Sequence, residues 1–303
     1  MNIASIGLLL GKSLLQSQVL GSIFSSDNNG PNVGRTSGAN ELFSSLLSQQ
    51  IGKNKPDAAL SALLNPSKSV NGLSATGRNL ALFNPEAGYN LSTFINSRDV
   101  LYKAQFSELN QIKNGVAQLQ DAGEVLGKIS NETPAAGVEA LLQNFIGRYN
   151  HWRESFNADV ADGGLLDKVQ AAEISLYELE QSVKNTFLGA KDDIRGLREL
   201  GITIDPNTHF ASLDSKQLAA TLSSKPQGVV NAVQDFSAHF AKSAALLNSA
   251  NNFIPNQLDN LNRAIRYISD NQAALKLEFG TGDAAKPNAK IAQALSAYNR
   301  IYA

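Results

Sequence analysis

Histidine and cysteine are the residue types most often used in catalytic and metal sites, and this sequence is poor in both. It has no cysteine, so a disulfide framework, a thiol nucleophile and a thiolate metal site are excluded. Its three histidines, His151, His209 and His239, do not fall at the spacing that places two imidazoles on one helical face. We expect each histidine to lie on the surface or to be satisfied by a neighbour. The sequence therefore predicts no metal site and no bound cofactor.

The acidic and glycine-rich motifs are also better explained without catalysis. Asp192-Asp193 could act as paired carboxylates, but Arg195 and Arg198 follow closely, which is typical of a solvated helix face. The run Asp162-Gly163-Gly164 ends a helical pattern, whereas a phosphate-binding loop opens a helix. Neither a P-loop nor a nucleophile-elbow signature occurs in the chain. We expect no catalytic residues and interpret the protein as a non-enzyme.

The overall charge argues against nucleic acid as a partner. The 303 residues carry 26 Lys and Arg against 27 Asp and Glu, whereas a nucleic-acid binder needs a basic face. Arg263 and Arg266 beside Tyr267 form only a small basic patch. Charged residues are 17% of the chain, below the roughly 25% of an average domain. Such a chain repels copies of itself only weakly, and this favours self-association.

The first 52 residues are predicted to be an assembly region, with one amphipathic helix followed by a linker. Lys12, Asp27, Arg35 and Glu41 are the only charged residues before position 53. The apolar residues that recur at helical spacing are Ile3, Ile6, Leu10, Leu14 and Ile23. No stretch has the roughly 20 consecutive apolar residues of a transmembrane helix, and no basic region opens a signal peptide. Any export is therefore expected to leave the amino terminus uncut.

Residues 53–96 are predicted to be extended with a short helix, and residues 97–280 to be a helical rod domain. From Tyr102 to Ile129 apolar residues recur every three or four positions, as one stripe on a long helix. Thr133 is the predicted N-cap of the next helix, with Pro134 at its first position. The fold class expected is mainly α, a long coiled-coil-like bundle or rod with one small β-hairpin.

Two helices of the rod carry the alternating steps of three and four that form a coiled-coil seam. The first seam consists of Val138, Leu142, Phe145, Tyr149, Trp152 and Phe156. The second consists of Leu258, Leu261, Ile265, Ile268 and Leu275, with Gln272 as a polar residue that would fix its register. The first seam is interpreted as a core within one chain, and the alternative is that part of it packs on another subunit.

A change of period marks a hairpin near residues 202–213. Ile202-Thr203-Ile204 is β-branched throughout and predicts a strand, with Phe210–Leu213 as its partner. Gly201 is expected in the left-handed conformation just past a helix end. The last helix, within 286–303, carries the apolar residues Ile291, Leu295, Tyr298 and Ile301. We expect this helix and the first one to form the assembly interface; docking on their own body or on a membrane surface are the alternatives.

The segment around this hairpin carries a resemblance to a known family. Ile194–Asp205, with the sequence IRGLRELGITID, is followed by Phe210–Asp214 and then by Pro226, Val229 and Phe236. Residues 140–240 thereby resemble the helical core of flagellar hook-associated protein 2, the filament cap protein. That family carries β-rich outer domains between its helical arms, and the short linker at 130–138 leaves no room for them. A reduced form without outer domains is implied.

The resemblance implies a structural role outside the cell. The expected function is a subunit of an extracellular flagellum-like appendage, exported without a cleaved signal peptide, that assembles through its terminal helices. Its expected partners are further copies of itself and other appendage subunits such as flagellin or hook-associated proteins. The alternative is a soluble or secreted coiled-coil adaptor that binds a partner helix and belongs to no filament.

Overall fold

Helices dominate residues 72–186 and 194–302, the part of the chain that the computed structural model describes. The helices there are α1 (Pro85–Leu126), α2 (Ala135–Val160), α3 (Gln170–Lys184), a 3-10 turn (Leu197–Leu200), α4 (Ser215–Ser224), α5 (Pro226–Asn248), α6 (Phe253–Phe279) and α7 (Ala289–Tyr302). Strands β1 (Ile202–Ile204) and β2 (Ala211–Leu213) form one two-stranded antiparallel sheet. The mainly helical class with one small hairpin is therefore confirmed.

The chain divides into two compact units. Among the described residues, unit 1 holds 72–107 and 259–302, and unit 2 holds 108–258 without 187–193. Unit 1 is thus assembled from two stretches that lie far apart in the sequence. Unit 2 comes from one continuous stretch. Helices α1 and α6 each contribute residues to both units.

Unit 2 has an aromatic core because the steps of three and four place the large apolar residues of α2 on one helical face. Val138, Leu142, Phe145, Tyr149, Trp152 and Phe156 are each at most 4% exposed. The Phe145 ring meets the rings of Phe236 and Phe240 edge-on, at centroid distances of 5.3 and 5.0 Å. These side chains are buried within the chain itself.

The hairpin of unit 2 pairs Ile202 with Leu213 and Ile204 with Ala211. Gly201 precedes β1 with φ at 87°, the left-handed conformation expected there. On the outer edge of β2, the Asn150 side chain donates to the Ala211 carbonyl at 2.8 Å and accepts from its N–H at 2.7 Å. One asparagine on α2 therefore satisfies the strand edge as a neighbouring strand would.

Three local predictions need correction. Helix α1 begins at Pro85 and not near residue 97, because the Asn84 side chain accepts from the Ala87 N–H at 3.0 Å and caps it. Thr133 is not an N-cap, since its hydroxyl accepts from the Ser130 N–H in the preceding turn and α2 begins at Ala135. Gln272 is exposed, so it does not occupy the buried seam position at which a polar residue would fix the register.

Candidate assembly surface

The histidine and acidic side chains that the structure describes do not form a metal-binding site. Within 72–186 and 194–302, no three His, Asp or Glu side chains are placed to hold a metal ion. His151 is exposed and His239 is half-buried, while His209 contacts Glu180. The paired carboxylates Asp192-Asp193 lie outside the described residues. In that same part of the chain, no helix is long and apolar enough to cross a membrane.

A buried carboxylate in unit 2 is held by basic side chains. A Glu180 carboxylate oxygen lies 2.5 Å from Lys184 Nζ. The other oxygen lies 2.9 Å from His209 Nδ1 and 3.9 Å from Arg153 Nη2. The Glu180 side chain is only 9% exposed. Burial raises the pKa of the nearby Tyr149 hydroxyl well above its ordinary value, and the Glu180 charge adds to the rise. This cluster joins α2, α3 and the hairpin.

Helix α7, in unit 1, is capped and anchored at two points. The Ile291 N–H donates to the Asn288 side chain at 2.9 Å, as an N-cap requires. Near the other end, the Phe106 ring meets Tyr298 and Tyr302 edge-on, at centroid distances of 5.8 and 5.5 Å. Burial raises the pKa of the Tyr298 hydroxyl, with further increases from Tyr302 and Asp99. One side of α7 is therefore packed on α1.

The remaining surface of α7 is open. Ile301 is 62% exposed and Tyr302 is 54% exposed, although Tyr302 also touches Phe106. A groove on the opposite face, half a turn around the helix from Ile301, is lined by Ala292, Leu295, Ser296, Asn299 and Arg300. We call these seven residues the α7 surface. It combines exposed apolar groups with a single charge, which is typical of a surface that contacts another helix.

The residues predicted for the assembly interface therefore fall into three groups. Ile301 is exposed, whereas Ile291, Leu295 and Tyr298 are half-buried. Ile3, Ile6, Leu10, Leu14 and Ile23 lie outside the described residues. The pairing of the two terminal helices stays a prediction.

The predicted second seam is divided between the two units. Leu258 belongs to unit 2, and Leu261, Ile265 and Leu275 of unit 1 are each at most 7% exposed. Ile268 is half-buried against the apolar cluster of Leu91, Ile95, Leu275 and Phe279. These positions form part of the interior of their own units.

Unit 1 contains a polar arrangement that no sequence pattern predicts, and we call it the polar lock. It consists of the hydrogen bonds that residues 77–96 make with residues 277–283. Asn79 Nδ2 donates to the carbonyls of Leu277 and Glu278, both at 2.9 Å. Asn96 Nδ2 donates to the carbonyls of Thr281 and Asp283, at 3.1 and 2.8 Å.

Further hydrogen bonds complete the polar lock between these two amides. Ser92 Oγ donates to the Gly280 carbonyl at 2.7 Å, and the Thr281 N–H donates to the Gly77 carbonyl at 2.8 Å. Tyr89 Oη donates to the Asp283 carboxylate at 2.8 Å, and this bond raises the pKa of the Tyr89 hydroxyl. The amides and hydroxyls in this region satisfy the backbone where α6 ends.

A charged clamp lies beside the polar lock. The Arg78 guanidinium donates to both carboxylate oxygens of Glu86, at 2.6 and 3.1 Å, and its carbon lies 4.2 Å from the Tyr89 ring centroid. This pairing holds the pKa of the Glu86 carboxyl below its ordinary value. Because the clamp is exposed, its contribution to stability is small.

Comparison with known proteins adds nothing to this geometry. No model of a known protein family matches the chain, and no curated protein or solved structure matches it either.

Proposed function

We propose that this protein is a self-assembling structural subunit of an extracellular flagellum-like appendage, related in role to filament cap and hook-associated proteins. The observation that carries the proposal is the α7 surface. Ile301 is 62% exposed near the carboxyl end of a helix that packs on Phe106 through Tyr298 and Tyr302. An amphipathic helix that leaves apolar side chains in water gains stability when another subunit covers them.

The helices and the hairpin also support the proposal. The hairpin lies between helices at the place where the sequence resembles the filament cap family, after Gly201 and before α4. Helices α1, α2 and α5 are long, with 42, 26 and 23 residues, as a rod-like subunit requires. In this proposal the rod is stiffened by coiled-coil packing, and it carries no catalytic site or cofactor.

The proposed partners are copies of the same chain, together with other appendage subunits such as flagellin or hook-associated proteins. The low charge of the first 52 residues supports an assembly in which they are covered by neighbours. Export would proceed without cleavage of a signal peptide, and nucleic acid has no part in the function.

The test is the molar mass in solution, measured by size-exclusion chromatography with light scattering. The full chain should form oligomers whose mass rises with concentration. Ile301→Asp should lower that mass towards the monomer, because an exposed aliphatic side chain at the interface is replaced by a charge. Tyr177→Asp is the matched control, since Tyr177 is 59% exposed on α3 in unit 2 and should leave the mass unchanged.

A variant that lacks residues 1–52 and 286–303 extends the test. The proposal predicts a monomer that keeps its helical circular-dichroism signal. The adaptor alternative predicts that the full chain is already a stable monomer or dimer and that this deletion leaves partner binding intact. A full chain that stays monomeric at high concentration would refute self-assembly.

A further inference from the structure

The polar lock joins parts of the chain that lie unusually far apart in sequence. Its side-chain hydrogen bonds from Asn79, Ser92 and Asn96 span between 185 and 199 residues. Closing a loop of this length costs conformational entropy before any of these bonds is gained. Unit 1 therefore depends on non-local contacts, which form late in folding.

The apolar contacts of unit 1 have the same origin. Its cluster takes Leu91 and Ile95 from α1, and Leu275 and Phe279 from α6. Before α6 packs on α1, Leu91 and Ile95 lack the two cluster residues that α6 contributes. Because most helical stability in proteins comes from packing of an apolar face, this part of α1 lacks its main source of stability until that packing forms.

At the polar lock, the backbone at Gly280 lies close against the backbone at Gly77. Gly280 has φ at 101°, and a Cβ added there would lie 2.5 Å from the Gly77 carbonyl oxygen. The lock therefore requires the 277–283 segment to lie directly against Gly77, and Gly280 forms an isolated β-bridge with Arg78.

These contacts all lie in unit 1, whereas unit 2 comprises residues 108–258. Its core joins α2 to α5, less than a hundred residues apart, through Phe145, Phe236 and Phe240.

We propose that the polar lock is a strap that closes unit 1 in a separate step after unit 2 has folded, and that it opens again without unfolding unit 2. A chain that emerges amino terminus first, from a ribosome or an export channel, would then complete unit 2 while unit 1 stays open. Unit 1 closes when residues 277–283 reach Asn79, Ser92 and Asn96. This inference does not rest on the proposed function.

The test is pulsed hydrogen exchange during refolding of the full chain, read by mass spectrometry. Peptides from α2 and α5 should become protected first, and peptides from 85–100 and 268–280 should follow together at least several-fold later. No variant is needed for this measurement, so a failure to fold cannot obscure it. Protection of both sets in one phase would overturn the proposal.

Native-state exchange of variants supplies the second measurement. Asn79→Ala and Asn96→Ala each remove two hydrogen bonds of the lock, and should speed exchange of the unit 1 peptides by roughly tenfold while leaving α2 and α5 unchanged. Asn271→Ala is the matched control, because Asn271 Nδ2 donates only to the Tyr267 carbonyl in its own helix. An equal effect of the control, or equal acceleration in unit 2, would contradict a separate strap.

Discussion

The interior of unit 2 and the interior of unit 1 are stabilised by different kinds of contact. In unit 2, aromatic side chains from one continuous stretch fill the interior, and Phe145, Phe236 and Phe240 are each at most 1% exposed. In unit 1, apolar residues such as Leu261, Ile265 and the Leu91 cluster are also buried, and hydrogen bonds join two stretches of chain that are distant in sequence. Burying a large apolar side chain stabilises the folded state by more than a typical hydrogen bond does, because water replaces the hydrogen bond in the unfolded chain. The comparison therefore predicts a resistant unit 2 and a unit 1 that opens more easily.

The largest effect should come from the core of unit 2. Phe145→Ala should lower the free energy of unfolding by about 3–5 kcal/mol, because it leaves a cavity among packed rings. Denaturant unfolding followed by circular dichroism measures the loss. Phe83→Ala is the control in unit 1, where the side chain is 82% exposed and the change should stay within about 0.5 kcal/mol. Equal losses would break the assignment of the core.

Substitution of a glycine with a positive φ in unit 1 should have the next largest effect on stability. Gly280→Ala forces a Cβ against the Gly77 carbonyl at a positive φ, and should destabilise unit 1 by about 1–3 kcal/mol. Gly147→Ala is the matched control on α2, since nothing lies within 4 Å of the added carbon. That control should stabilise its helix by about 0.5–1 kcal/mol. Thermal melts should therefore shift in opposite directions for the two variants.

Two helix caps provide a paired comparison of smaller size. Asp214→Ala removes an acceptor for the N–H groups of Lys216 and Gln217 in unit 2, and Asn84→Ala removes the cap of α1 in unit 1. Each should cost about 1 kcal/mol. Hydrogen exchange should show the first loss in α4 and the second in the first turns of α1. A loss spread evenly over both units would contradict their independence.

The smallest effect should be a pH dependence of unit 1. The Arg78 contact lowers the pKa of the Glu86 carboxyl, so its stabilising contribution is present above the carboxyl's unfolded pKa and is lost as the pH falls through the lowered folded value. Glu86→Gln should therefore flatten the acid-side decline in stability. Unfolding measured between about pH 7 and pH 3 tests the sign.

Asp205→Asn is the corresponding variant in unit 2. There the pKa of the carboxyl is lowered by hydrogen bonds from the backbone N–H groups of Thr208 and Asn207. Its removal should flatten the acid response of unit 2 and leave unit 1 unchanged. An acid response that ignored both variants would contradict the electrostatic account.

The parts that were predictable from sequence are those whose determinants lie close together in the chain. The alternation of apolar steps predicted helices around Phe145 and Ile265, and the β-branched run at 202–204 predicted β1. The turn conformation at Gly201 was also predictable, because it depends on the neighbouring residues alone.

The polar lock was not predictable, because its partners are too distant to leave a local pattern. Asn79 and the residues around it resemble a linker in composition, yet Asn79 donates to carbonyls nearly two hundred residues away. The early start of α1 was missed for a related reason. Asn84-Pro85 reads as a turn, and only the bond to Ala87 distinguishes it as a helix cap.

The candidate surface was predictable in part. Helical spacing identified the apolar positions of α7, but it could not tell Tyr298, which packs on Phe106, from Ile301, which is exposed. That distinction depends on where α1 lies, and no periodicity in α7 encodes it.

Electron microscopy of the purified full chain over a range of concentrations tests the central claim most directly. Self-assembly through the α7 surface predicts regular rings or filaments that disappear in Ile301→Asp and persist in Tyr177→Asp. Single particles of monomer size at every concentration, or assemblies that survive in Ile301→Asp, would contradict the account.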